Sequence, residues 1–123
     1  MTNQTPIKKF DLEERTAKFA ESVLKFAKKI PQNTINTPLV SQLVRSATSI
    51  GANYSEADDA ESRMDFVHKI GICKKEARET KYWLRMLTVV VPELKVEIKT
   101  HWQEAKELNL IFNAIVRSAR LKN

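Results

Sequence analysis

Eight cations sit at spacings suited to following a phosphate backbone. Lys74, Arg78, Lys81 and Arg85 are separated by four, three and four positions. On a helix that spacing lines one face, and no acid interrupts it. Arg15, Lys18, Lys25 and Lys29 form a second row nearer the N-terminus, broken only by Ser22. Such rows attract phosphates through charge, in a salt-sensitive way that ignores base identity. The competing reading is a solvated face opposite a core seam, with Glu14–Lys18 and Glu21–Lys25 as ordinary i,i+4 pairs. No base-reading motif or stacking platform is recognisable, so any RNA or DNA binding is expected to be phosphate-led.

Catalytic and metal constellations are sparse. A di-iron bundle needs Glu-x-x-His on two helices and a glutamate from each of the others. The chain has only Asp65-x-x-His68, in a single copy at a helix start. Glu97 and His101 stand at i,i+4, but His101 falls on an apolar seam and reads as a core or boundary histidine. Cys73 also lies in a seam, where a thiol behaves as a small apolar group. As the lone cysteine it forms no internal disulfide. Both glycines, Gly51 and Gly71, fall inside helices, leaving no loop to cradle a phosphate. The expectation is a non-enzyme with no catalytic residue, no metal and no cofactor.

Four amphipathic segments position these residues. The chain has 123 residues, a formal charge of +6, two glycines and four prolines. That length favours one domain, 1–123, and so few turn-forming residues favour long helices. The first helix is expected at about 12–30, with Leu12, Thr16, Phe19, Val23, Phe26 and Ile30 in step. Asp11 and Glu14 start it, and Pro31 ends it. The second, 38–57, opens at Thr37-Pro38 and carries Val40, Leu43, Ala47, Ile50, Tyr54 and Ala57. The third, 63–91, has the most regular seam: Phe66, Ile70, Cys73, Ala77, Thr80, Leu84, Leu87 and Val91. The fourth, 93–121, follows Pro92 with Leu94, Ile98, His101, Ala105, Leu108, Phe112, Ile115 and Ala119. Short connections between such helices predict an all-α, antiparallel up-down-up-down four-helix bundle. No stretch nears the ~18 apolar residues of a membrane span. The first residues lack the apolar run of a signal peptide, so a cytoplasmic location without membrane contact is expected.

A simple bundle leaves one polar stripe unexplained. Gln42, Arg45, Ser46, Ser49, Ala52, Asn53 and Glu56 lie beside the second helix's apolar seam. On the third helix Ile72, Glu76, Glu79, Trp83, Met86 and Val90 form a second seam in which apolar residues flank two carboxylates. Trp and Met together mark interface cores. The seam is therefore expected to meet another copy of the chain, with Glu76 and Glu79 answering Arg45, Asn53 or a lysine. The alternative places Trp83 at the core boundary and the glutamates in water.

The residues 42–57, QLVRSATSIGANYSEA, and 66–84, FVHKIGICKKEARETKYWL, resemble the signature of one bacterial family. These are the small four-helix bundle proteins encoded by intervening sequences within large-subunit ribosomal RNA genes. The accessory variability protein of diversity-generating retroelements is similar. The resemblance implies an antiparallel bundle, a ring-shaped homopentamer and no known catalytic activity. For the retroelement member it implies a basic surface that contacts nucleic acid and a reverse transcriptase. Many members follow the motif's Asn with Glu-Gly and a basic residue. Here Glu56-Ala57-Asp58-Asp59-Ala60-Glu61 makes that connection acidic. The resulting expectation is a non-enzymatic oligomeric scaffold or adaptor presenting a basic surface to RNA, DNA or a reverse-transcriptase-like partner. The alternative is a protein–protein module without nucleic acid.

Overall fold

Residues 11–121 are described by the structure, a computed structural model. Four helices follow one another: α1 (Leu12–Ala27), α2 (Asn36–Asp58), α3 (Arg63–Val90) and α4 (Lys95–Leu121). A single 3-10 turn, Pro92–Leu94, joins the last two. They form the expected all-α, antiparallel up-down-up-down four-helix bundle. At 1.5 Å per residue the 28 residues of α3 span roughly 42 Å, against roughly 24 Å for the 16 residues of α1. α3 packs extensively on both α2 and α4, and α1 lies on α2. Where α1 passes α4, the two touch only sparsely.

Local chemistry accounts for the helix ends. Asp11 accepts from the Glu14 N–H, and Ser62 accepts from the Asp65 N–H, so each caps its helix. α1 ends at Ala27, three residues before the expected Ile30. Pro31 biases its predecessor away from helical backbone, and Lys28 to Ile30 close a tight turn instead. α2 begins at Asn36, two residues before the expected start. The cap is not Thr37: Asn33 Oδ1 accepts from the N–H groups of both Ile35 and Asn36. Pro38 still falls within the first turn, where a missing N–H costs no hydrogen bond.

One apolar core runs through the bundle. Phe26, Leu43, Ile50, Ile70, Leu84, Leu87, Leu108 and Phe112 are fully buried in it. The seam expected on the first helix is buried along its whole length. On α4 the buried position shifts from Ile115 to Val116, the drift of a 3.6-residue helix against a seven-residue step. Buried hydroxyls are satisfied. Thr16 donates to the Leu12 carbonyl at 2.7 Å, and Thr80 reaches Ser46 Oγ at 2.9 Å across the α2–α3 contact. Gly51 allows α1 to approach closely, since a Cβ there would lie 3.1 Å from Thr16 Oγ1.

Candidate nucleic-acid interface

Charge is sorted by helix face. On α4 the acids turn towards α1. Glu104 grips Arg15 through two bonds of 2.8 and 2.9 Å, and Glu107 adds a third at 2.9 Å. The hydrogen bonds that Arg15 donates to Glu104 raise the pKa of its guanidinium. Glu97 holds Lys29 at 2.9 Å. On α3 the acids turn towards α2. Arg45 bridges Glu76 at 3.2 Å and Glu79 at 2.7 Å. The groove between α3 and α4 is left to cations.

Along its α3 wall stand Lys74, Arg78, Lys81 and Arg85. Arg78 and Arg85 are exposed, and none of the four forms an ion pair with an acid among the described residues. Lys74 is anchored: its ammonium lies 3.4 Å from Asn113 Oδ1, and its carbonyl accepts from Asn109 Nδ2 at 2.8 Å. Opposite, α4 presents Lys95, Lys99, Trp102 and Lys106 at four, three and four positions apart. The ammoniums of Lys81 and Lys106 lie 5.5 and 5.6 Å from the Trp102 ring centre, within cation–π range. A pocket of about 410 Å³ opens at the groove's end, lined by Arg85, Thr88, Lys95, Ile98, Lys99 and Trp102.

The α3 row is legible in the sequence, and its α4 counterpart is not. Glu97, Glu104 and Glu107 interleave with the α4 cations in the chain, although they point to another face. The four-three-four spacing of Lys95, Lys99, Trp102 and Lys106 was the available signal.

The row expected on the first helix fares differently. Arg15 and Lys29 are engaged by α4 acids, and Lys18 lies 3.9 Å from Glu14. Lys25 has no ion pair among the described residues, Glu21 included. Two of its four cations therefore hold the bundle together. The physical reason is the sparse α1–α4 packing, which these pairs bridge.

The polar stripe forms within one chain. Arg45 reaches Glu76 and Glu79 of its own α3, the pairing expected of these carboxylates, made here within one chain. Asn53 donates to the Ser49 carbonyl one turn back, at 2.8 Å. Glu56 pairs with Lys69, whose ammonium pKa rises through that hydrogen bond. Ile72, Trp83 and Met86 are half-buried rather than exposed. The Trp83 indole N–H is buried without an acceptor among the described residues. Neighbouring Tyr82 and Val89 remain 53% and 74% exposed.

Two other chemical groups are enclosed. Burial pushes the Cys73 thiol up to about 12, and its Sγ lies 3.5 Å from the Ile50 carbonyl. His101 is buried beside Phe26, with ring centres 5.1 Å apart. Desolvation lowers its pKa, opposed by Glu97 and reinforced by Lys29. Its ring forms part of a cleft of about 580 Å³ between α1 and α4, together with Phe19 and the Arg15–Glu104 pair. No group of three potential metal ligands occurs among the described residues. No described helix is long and apolar enough to cross a membrane.

Comparison with known proteins agrees with the fold. The profile of the 23S rRNA-intervening sequence protein family matches residues 8–114. A crystal structure of a protein with unknown function from the S23 ribosomal protein family of Bacteroides thetaiotaomicron VPI-5482 is similar. It is 31% identical with a TM-score of 0.76, over 85% of this chain and 96% of that one. Comparison with curated proteins gives no match.

Proposed function

The chain belongs to the 23S rRNA-intervening sequence protein family, and we propose that it is a non-enzymatic scaffold holding RNA or DNA along the α3–α4 groove. The observation that carries this reading is the sorting of charge. Carboxylates occupy the α2-facing side of α3 and the α1-facing side of α4, and the groove collects cations that no described acid neutralises. Phosphates entering it replace water and counterions around Arg78, Arg85, Lys95 and Lys99 without breaking an ion pair. On α1, by contrast, a phosphate would have to compete with Glu104 or Glu97.

The scaffold works as a homo-oligomer, a pentamer by analogy with the family. Supporting self-association are the exposed side chains of Tyr82 and Val89 on α3.

Titration of labelled single- and double-stranded oligonucleotides at about 50 and about 200 mM salt tests the reading. Affinity falling steeply with salt is the expected result. Absence of binding at the lower concentration would leave the protein–protein module as the better description.

A further inference from the structure

The pocket at the end of the groove has chemistry that phosphate tracking alone does not need. Its wall combines the indole of Trp102 with the aliphatic side chain of Ile98, and cations stand at its rim. We propose that this pocket takes an unpaired nucleobase, stacked on Trp102, with the adjoining phosphates on Arg85, Lys95 and Lys99. The proposal rests on the groove being the nucleic-acid surface, and adds that single strands are its preferred ligand.

The volume of about 410 Å³ admits a base with part of its sugar. A base inside a duplex is stacked on its neighbours and reaches such a pocket only after unpairing, whereas a single strand offers its bases freely. Aromatic stacking is indifferent to base identity, since every base has a π-face. The ammoniums of Lys81 and Lys106 near the indole fit this role. Each sits on a flexible stem, and swinging off the ring places it at a phosphate. Trp102 is also half-buried, so the neighbouring core fixes the ring and little freedom is lost on stacking.

The test compares three probes carrying equal numbers of phosphates: a single-stranded DNA, the same strand with abasic sites throughout, and a duplex. The intact single strand is expected to bind about tenfold more tightly than the abasic one. Trp102→Ala should erase that difference between intact and abasic strands, and Trp102→Phe should restore most of it. In a Trp83→Phe background, the remaining Trp102 fluorescence should be quenched by the intact strand and not by the abasic one. Equal wild-type affinity for intact and abasic strands would overturn the pocket assignment and leave the groove reading standing. Failure of all three probes to bind would overturn both. Because the wild-type comparison needs no substitution, a Trp102→Ala protein that fails to fold leaves the outcome decidable.

Discussion

Arg15 and Glu104 form a two-pronged ion pair between α1 and α4, with nitrogen–oxygen distances of 2.8 and 2.9 Å. It spans the side of the bundle where helix packing is thinnest. Planar guanidinium and carboxylate groups fit one another in this arrangement, which adds geometric definition to charge attraction. The side chains are 36% and 31% exposed, so water screens part of the gain. Arg15→Gln is therefore expected to cost about 1 kcal/mol in urea denaturation. Oligonucleotide affinity should be nearly unchanged, because Arg15 is already engaged. A large loss of affinity with no loss of stability would reverse this assignment.

The two glycines should answer oppositely to alanine. A Cβ added at Gly71 would meet no heavy atom within 4 Å, so Gly71→Ala should stabilise the bundle by about 0.5–1 kcal/mol through helix propensity. At Gly51 the new methyl would press on Thr16 Oγ1 at 3.1 Å. Thr16 is 1% exposed and tied to the Leu12 carbonyl, so it yields poorly. Gly51→Ala should lower the thermal midpoint despite the same propensity gain. Two shifts of the same sign and size would show that α1 does not sit this close to α2.

His101 should make the bundle sensitive to mild acid. Its folded pKa lies below the ordinary value of 6.5 because burial disfavours the charged ring. Above that value both folded and unfolded forms are neutral, and stability is unaffected. As pH falls below it, the unfolded chain takes up the proton first, so stability declines until the lower folded pKa is passed. Between about pH 7.5 and about pH 5.5 the wild-type urea midpoint should fall, and His101→Phe should flatten the slope. Identical slopes in the two proteins would place His101 in water.

Much of the fold is legible in the sequence because burial repeats at helical spacing. Phe19, Val23 and Phe26, like Ile70, Cys73 and Ala77, follow the period and are buried. Helix ends are harder to read. Asn33 caps α2 from outside it, and its advantage over Thr37 lies in loop geometry that no periodicity encodes. The candidate site is half legible. The α3 row stands without an intervening acid, whereas the α4 row is interrupted in sequence by carboxylates that point elsewhere. Conversely, Arg15 and Lys29 look free in the sequence because Glu97, Glu104 and Glu107 are distant in the chain. Arg45, Glu76 and Glu79 do group together, yet spacing does not distinguish a partner in the same chain from one in another copy.

Where the phosphates lie is the central question, and charge removal answers it. Arg78→Gln, Arg85→Gln and Lys99→Gln together remove three cations from the groove. Lys18→Gln, Lys25→Gln and Lys28→Gln remove three from α1 and the turn that follows it, so both variants drop from +6 by the same amount. The quantity to measure is the slope of log affinity against log salt for a single-stranded oligonucleotide. The groove variant should lose about two from the magnitude of the wild-type slope, roughly 0.7 for each lost phosphate contact, and the α1 variant should keep it. An equal reduction in both, or a reduction confined to the α1 variant, would contradict the assignment of the α3–α4 groove.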